Sequence, residues 1–128
     1  MNNVVLDSSA ILTLLLDESG QEHLTDEVLD SAVVCAVNLA EVQGKLVKRG
    51  VDPDEAWLHA ISYSPRVHPF TRELSRIAGS LMQQTERFGL SLGDRCCLAL
   101  AIALEAEVYT ADRIWSGINI GVPIHVIR

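Results

Sequence analysis

The chain has 128 residues, of which 48% are hydrophobic and 21% charged, and its formal net charge is −7. This composition favours one compact globular domain and excludes a disordered chain, which would carry more charge and fewer apolar residues. The acidic excess disfavours simple electrostatic binding of nucleic acid, because neutralising phosphates requires Lys and Arg.

Neither a membrane segment nor a cysteine framework is indicated by the sequence. The longest uninterrupted apolar run spans residues 96–104, about half the length that a membrane-spanning helix needs. No basic leader precedes the first apolar stretch, so we expect a cytoplasmic domain. Cys35, Cys96 and Cys97 lack the spacing of a disulfide framework or a zinc site, and the four histidines are scattered.

Strand-like and helix-like segments alternate along the chain. Strands are predicted at 3–7, 32–36, 107–110 and 124–127, with a short one flanked by Val67 and Phe70. Helices are predicted at 8–17, 21–30, 38–49, 52–62, 71–88 and 94–105. This alternation predicts an α/β fold in a single domain over 1–128, a three-layer α/β/α sandwich whose central parallel sheet has about four to five strands.

Four acidic residues fall where strands end or where the following helices begin. Asp7 ends the first strand, and Asp112 lies two residues beyond the 107–110 strand. Glu41 lies in the opening turns of the helix after the second strand. Asp94 begins a helix that leads almost directly into the next strand. Because ligands bind at the carboxyl ends of strands in open parallel sheets, we expect these four acids on one edge.

Each of these acids also has a purely structural interpretation. Glu41 and Lys45 have the i, i+4 spacing of an ion pair on a solvated helix face. Ser91 and Asp94 have the spacing of a capping box, in which the carboxylate offsets the helix dipole. Asp7 could be an ordinary cap where the first strand ends, and Asp112 could be an ordinary turn residue.

If the four carboxylates do converge, their mutual repulsion calls for a divalent cation. Ligands that are all oxygen favour Mg²⁺ or Mn²⁺ over zinc. Two such ions would bring the net charge from −7 to about −3 and can promote phosphodiester hydrolysis. Ser9 and Thr110 are close enough in sequence to Asp7 and Asp112 to hydrogen-bond them.

Four segments resemble the signature segments of PIN-domain proteins, in the same order and over essentially the whole chain. They are VVLDSSA at 4–10, NLAEV at 38–42, LSLGDRCCLALA at 90–101 and VYTADRIW at 108–115. Within that family, the chain most resembles the VapC-type toxins of bacterial type II toxin–antitoxin modules, which are single PIN domains of this length.

The resemblance implies an endoribonuclease that depends on Mg²⁺ or Mn²⁺ and cleaves structured RNA, often transfer or ribosomal RNA. It also implies inhibition by a cognate antitoxin protein and homodimerisation. Residue by residue, it places the family's catalytic metal ligands at four positions, with Ser9 and Thr110 as polar neighbours. These positions are Asp7, Glu41, Asp94 and Asp112.

Several further expectations follow from single residues. Arg95 and Arg113 each follow one of the four acids, where they suit either a contact to RNA phosphate or an ion pair with the neighbouring acids. The mean hydropathy of +0.22 and the leucines at 12 and 14–16 predict a surface that packs against a second copy or a partner.

Three alternative functions are weighed against the nuclease. A haloacid-dehalogenase-like phosphatase needs a second Asp at the position of Ser9, and a response-regulator receiver needs an acidic pair after the first strand. A catalytically silent PIN-fold interaction module is the third alternative. An inert domain has no need to concentrate like charges, which favours the nuclease.

Overall fold

Five short strands form one parallel sheet in the computed structural model, which describes residues 3–63 and 66–128. The strands are β1 (Val4–Leu6), β2 (Ala32–Cys35), β3 (Val67–His68), β4 (Glu107–Thr110) and β5 (Ile124–Val126). Their spatial order is β3-β2-β1-β4-β5, and every neighbouring pair is parallel. The central strand is therefore β1, and the first acid of the predicted site lies at its carboxyl end.

Helices connect the strands and cover both faces of the sheet. The α-helices are α1 (Ser8–Leu15), α2 (Asp26–Asp30), α3 (Ala36–Lys48), α4 (Pro53–Ala60), α5 (Arg72–Ser80), α6 (Met82–Thr85) and α7 (Leu92–Leu104). Short 3₁₀ helices lie at Gln21–His23, Glu86–Phe88 and Arg113–Gly117. Across the two described ranges, no helix has both the length and the apolar character needed to cross a membrane.

The central strands β1 and β2 are buried on both faces. Along β1, Val5 joins the apolar cluster that contains α5 and α7, whereas Val4 and Leu6 join the cluster that contains α1, α3 and α4. Val33 and Val34 on β2 divide between the same two clusters. Successive residues of a strand point to opposite faces, so a strand between two helical layers must be apolar throughout. The predicted three-layer α/β/α sandwich is confirmed.

Two predicted helices are interrupted in the structure. The helix predicted at 21–30 is a 3₁₀ turn followed by α2, because Thr25 adopts an extended backbone and accepts from the Val28 N–H to cap α2. The helix predicted at 71–88 breaks into α5, α6 and a 3₁₀ turn. Ser80 and Thr85 each donate to the carbonyl four residues earlier, and such bonds bend helices.

Of the leucines at 12 and 14–16, Leu12 is buried. Leu14, Leu15 and Leu16 are partly buried against the core cluster that contains α1 and α3. The large apolar side chains that are most exposed include Leu92 and Ile114, at 56% and 55%. These two lie two residues before Asp94 and two residues after Asp112. Some apolar surface therefore remains at the end of α1, and the homodimer remains a prediction.

Candidate functional site

Asp7 is the most deeply buried of the four predicted acids, with 3% of its surface exposed. It caps α1, because its Oδ1 accepts from the Ala10 N–H at 2.8 Å. Burial raises the pKa of Asp7 to about 6, although hydrogen bonds from Thr110, Ala10 and Ser9 lower it. A carboxylate buried in this way is stabilised either by taking up a proton or by a cation beside it.

Two hydroxyl groups connect Asp7 to the end of β4. Thr110 donates to Oδ2 of Asp7 at 2.7 Å, and Ser9 donates to Oδ1 at 2.7 Å. The same hydroxyls accept from the next turn of chain: Thr110 from the Asp112 N–H at 3.1 Å, and Ser9 from the Ala111 N–H at 2.9 Å. Ser9 and Thr110 therefore fix the Asp112 backbone relative to Asp7, in the positions predicted for them.

Glu41 lies against the first turn of α7, held there by Asn38. The Nδ2 of Asn38 donates to Oε1 of Glu41 and to the Gly93 carbonyl oxygen, each at 2.9 Å. Gly93 is tightly packed, because a Cβ at that position would lie 2.2 Å from Oε2 of Glu41. The Glu41 carboxylate is thus beside the residue that precedes Asp94. Its hydrogen-bond partner is Asn38 rather than the Lys45 of the ion-pair interpretation.

Asp94 forms the capping box that its spacing from Ser91 predicted. Its Oδ2 accepts from the Ser91 N–H at 3.0 Å, and its own N–H donates to Ser91 Oγ at 3.1 Å. The charge of Asp94 nevertheless contributes to the raised pKa of Asp7. One turn along α7, burial raises the pKa of the Cys97 thiol. The charges of Asp7, Asp94 and Glu41 raise that pKa further. The capping role and proximity to Asp7 therefore coexist.

The charges of Asp7, Glu41 and Asp94 thus all act on the buried Cys97 thiol, and Thr110 ties Asp112 to Asp7. We call these four acids the acidic site. Asp112, like Asp94, uses its carboxylate locally, since Oδ1 accepts from the Ile114 N–H at 3.0 Å and caps the 3₁₀ helix. Within 3–63 and 66–128, no three Asp, Glu, His or Cys side chains stand in an arrangement that would hold a metal ion.

The residues of the acidic site nevertheless have the chemistry of a hard-cation site. All four ligand candidates are carboxylates, the donor type that Mg²⁺ and Mn²⁺ prefer. The Oδ1 of Asn38 is buried beside Glu41 and has no hydrogen-bond partner among the described residues. An unpaired buried oxygen and a buried carboxylate with a raised pKa are both relieved by positive charge. The donor chemistry therefore fits a divalent cation, although in this structure the carboxylates of Asp94 and Asp112 accept capping hydrogen bonds.

The two arginines predicted as RNA contacts have protein partners. Arg95 is half-buried, and its Nη1 donates to the Ala78 carbonyl oxygen at 3.0 Å, where α7 packs against α5. Arg113 is exposed, and its Nε donates to the Arg128 carbonyl oxygen at 3.2 Å. Neither arginine forms an ion pair with a carboxylate in the described part of the chain. Because Arg113 is exposed and Arg95 is half-buried, Arg113 can turn toward a phosphate more readily than Arg95 can.

Asn38 is the residue that the sequence analysis missed. It lies at the third position of α3, three residues before Glu41, and is 1% exposed. A polar side chain so close to a helix start reads as an ordinary solvated residue. The available signal was its place on the same helix stripe as Leu39 and Val42, which are buried. A buried amide on an apolar stripe needs a polar partner, and here Glu41 is that partner.

Comparisons with known proteins agree with this architecture. The profile of the PIN domain family matches residues 4–120, whereas no curated protein sequence is significantly similar to the chain. DNA-bound VapBC from Salmonella typhimurium superposes with a TM-score of 0.75 at 16% identity over 100% of both chains. VapBC2 from Rickettsia felis, bound to a promoter DNA fragment, superposes with a TM-score of 0.73 at 16% identity over 98% of both chains.

A third similar structure is VapC20 of Mycobacterium tuberculosis, a sarcin–ricin loop cleaving toxin. Its TM-score is 0.71 at 17% identity, over 94% of this chain and 99% of that one. At such identities the similarity shows the fold, which is that of the VapC-type toxins. The family match over 4–120, carried on this fold, shows that the chain belongs to the PIN-domain family.

Proposed function

We propose that this chain is an endoribonuclease that depends on Mg²⁺ or Mn²⁺ and acts as the toxin of a type II toxin–antitoxin pair. Its proposed substrate is structured RNA of the transfer or ribosomal type, and its proposed location is the cytoplasm. The catalytic and metal-binding residues in this proposal are those of the acidic site: Asp7, Glu41, Asp94 and Asp112.

The observation that carries the proposal is the environment of Asp7. Its carboxylate is buried at the carboxyl end of the central strand, and its pKa is raised to about 6 while two hydroxyls and a backbone N–H hold its orientation. An N-cap needs only one of these bonds and no burial. Burying a carboxylate destabilises the apo fold at neutral pH, and such a cost is typical of a site kept for function.

The chain's own residues have distinct roles in this proposal. The chemistry that a divalent cation supplies when bound is activation of a water and stabilisation of charge on the phosphodiester. Asp7, Glu41, Asp94 and Asp112 would hold that cation. Ser9 and Thr110 orient Asp7, and Asn38 positions Glu41, so these three side chains act through the acids rather than on the RNA.

The acidic character of the whole chain makes the metal central to RNA binding. With a net charge of −7, the protein repels the phosphate backbone over most of its surface. Positive charge concentrated at the acidic site would draw one phosphate there in preference to others. This reasoning predicts that cleavage and RNA binding both fail when the metal is removed.

The partner proposals rest on the resemblance to VapC-type toxins. An antitoxin protein is proposed to inhibit the enzyme, and the chain is proposed to form a homodimer. Sedimentation at tens of micromolar protein tests the dimer directly, and a clean monomer would exclude it. The alternative function is a catalytically silent interaction module on a PIN fold. It would also bind partner proteins, but it would not cleave RNA.

Expression in a bacterial host with sequencing of RNA 5′ ends separates the two functions. The nuclease predicts growth arrest and new 5′ ends at a small set of positions in transfer or ribosomal RNA. Asp112→Asn should abolish both, whereas Asp52→Asn, an equivalent change at the exposed N-cap of α4, should abolish neither. Growth arrest by the wild type without new RNA ends would favour the interaction module.

A further inference from the structure

A surface cavity of about 550 Å³ lies between the segment that precedes α7 and the segment that follows the third 3₁₀ helix. One wall comes from the 83–88 segment and the other from Gly117 and Asn119, which follow the third 3₁₀ helix. This volume is in the range of sites that bind small organic molecules. The sequence gives no sign of this cavity, because its walls are at least 29 positions apart in the chain and neither carries a motif.

Both walls are direct extensions of the segments that carry two of the acids. Phe88 lies three positions before Ser91, so the two Cα atoms are no more than about 11 Å apart. Ser91 is the residue whose N–H donates to Asp94. Gly117 ends the 3₁₀ helix that Asp112 caps, about 10 Å away at the rise of such a helix. These two spans keep both walls of the cavity within a distance of Ser91 and Asp112 that a few nucleotides of RNA can cover.

The cavity offers a stacking surface. The guanidinium carbon of Arg87 lies over the Phe88 ring, 5.0 Å from its centroid. Nucleobases stack on aromatic rings and on arginine planes alike. The opposite wall is closely fitted to the ring, since a Cβ on Gly117 would lie 3.1 Å from Cε1 of Phe88.

The remaining polar groups suit the edge of a base better than a phosphate. Gln83, Gln84 and Asn119 line the cavity with neutral amides, each of which supplies donors and an acceptor. None of these amides makes a hydrogen bond to another described residue. The charged lining is one arginine and Glu86, which cancel, so the cavity has no net attraction for an anion. A planar, neutral and polar group matches this lining.

We propose that this cavity binds an unpaired nucleobase of the RNA, adjacent to the phosphate that the acidic site cleaves. The inference rests on the proposed nuclease function and adds to it a determinant of sequence preference. Arg87 and Phe88 stack the base, while the amides of Gln84 and Asn119 read its edge. The enzyme therefore prefers certain bases at one fixed position beside the cleavage site.

A binding experiment tests the cavity without any cleavage. Asp7→Asn protein, labelled with ¹⁵N and kept in chelator, is titrated with the four nucleoside 5′-monophosphates. We expect the side-chain NH₂ resonances of Gln83, Gln84 and Asn119 to shift, and at least one base to bind more tightly than another. Equal shifts with ribose 5-phosphate, or shifts confined to residues outside the cavity, would overturn the proposal.

Gly117→Ala supplies the matched variant. Its added methyl group narrows the cavity against Phe88 without backbone strain, so we expect nucleotide binding to weaken on the order of tenfold. Gly44→Ala is the control, because a Cβ at that position meets nothing within 4 Å. Retention of full nucleotide affinity by Gly117→Ala would contradict the assignment.

Cleavage of a randomised RNA library then tests the sequence preference. Gln84→Ala and Asn119→Ala should relax the preferred base at one position and leave the other positions unchanged. An unchanged preference in both variants would overturn the specificity role. If the wild type cleaves no RNA while nucleotides still shift the three amides, the nuclease proposal fails and the base-binding cavity stands.

Discussion

Thr110 donates a hydrogen bond of 2.7 Å to Oδ2 of Asp7, across 103 positions of the chain. The contact exists because β1 and β4 are adjacent parallel strands, with Leu6 in register with Tyr109. The next residue of each strand segment therefore emerges at the same carboxyl edge. Since Thr110 also accepts from the Asp112 N–H, one hydroxyl sets the distance between two of the four acids.

Loss of that hydroxyl should impair the acidic site while the fold persists. Thr110→Val keeps the side-chain volume but leaves Asp7 with one donor fewer and the Asp112 N–H without its partner. We expect RNA cleavage to fall by about 10- to 100-fold, with a matching loss of affinity for Mn²⁺. Thr110→Ser restores the hydroxyl and should recover most of both. Equal activity of the Val and Ser variants would show that the hydroxyl does not position the acids.

Gly93→Ala should displace Glu41 without unfolding the protein. The added Cβ would lie 2.2 Å from Oε2 of Glu41, so the carboxylate must move, whereas the helix itself tolerates Ala well. We expect the free energy of unfolding to change by less than about 1 kcal/mol and RNA cleavage to fall at least tenfold. Gly44→Ala, three residues after Glu41 with open space around it, should cleave at the wild-type rate.

Asp7 should make the metal-free protein less stable as the pH rises. Its folded-state pKa of about 6 exceeds the unfolded value of about 4, so its favourable contribution is complete below pH about 4. That contribution is lost as the pH increases through about 6. Between pH 4 and pH 8, the stability of Asp7→Asn relative to wild type should therefore rise by about 2–3 kcal/mol. Urea unfolding in chelator measures this difference, and a constant difference across the range would contradict the buried-carboxylate account.

Metal should stabilise only the intact acidic site. At a concentration about 100 times its dissociation constant, a cation adds roughly 2.7 kcal/mol to the free energy of unfolding, which raises Tm by several degrees at this chain length. Asp112→Asn should raise the Tm of the metal-free protein, because one of the repelling charges is gone, and should lose most of the Mn²⁺-induced increase. Equal Mn²⁺-induced shifts in wild type and Asp112→Asn would exclude Asp112 from a shared site.

Much of the architecture follows from the local sequence. The strand predicted at 107–110 is β4, residue for residue, because Val, Tyr and Thr favour strands and the segment lies between a helix end and a polar turn. The parallel sheet then dictates that Asp7 and Asp112 share an edge. The capping box of Ser91 and Asp94 was also readable, since it depends only on spacing within one turn.

Other features depend on contacts that no local pattern reveals. The break between α5 and α6 is missed because the apolar stripe continues through it, while Thr85 bonds back to the Leu81 carbonyl oxygen. Asn38 is missed because its second acceptor, the Gly93 carbonyl oxygen, is 55 positions away. The alternative interpretation of Glu41, an ion pair with Lys45, did not anticipate the hydrogen bond that Asn38 donates to Glu41.

The rate of RNA cleavage in the presence of Mn²⁺ tests the central claim most directly. Asp7→Asn and Asp52→Asn make the same chemical change at two helix N-caps, one buried in the acidic site and one exposed. Both variants are compared with the wild type. We predict cleavage by wild type and Asp52→Asn that chelator abolishes, and no cleavage by Asp7→Asn with or without metal. Cleavage by Asp7→Asn at the wild-type rate, or wild-type cleavage that persists in chelator, would contradict the account.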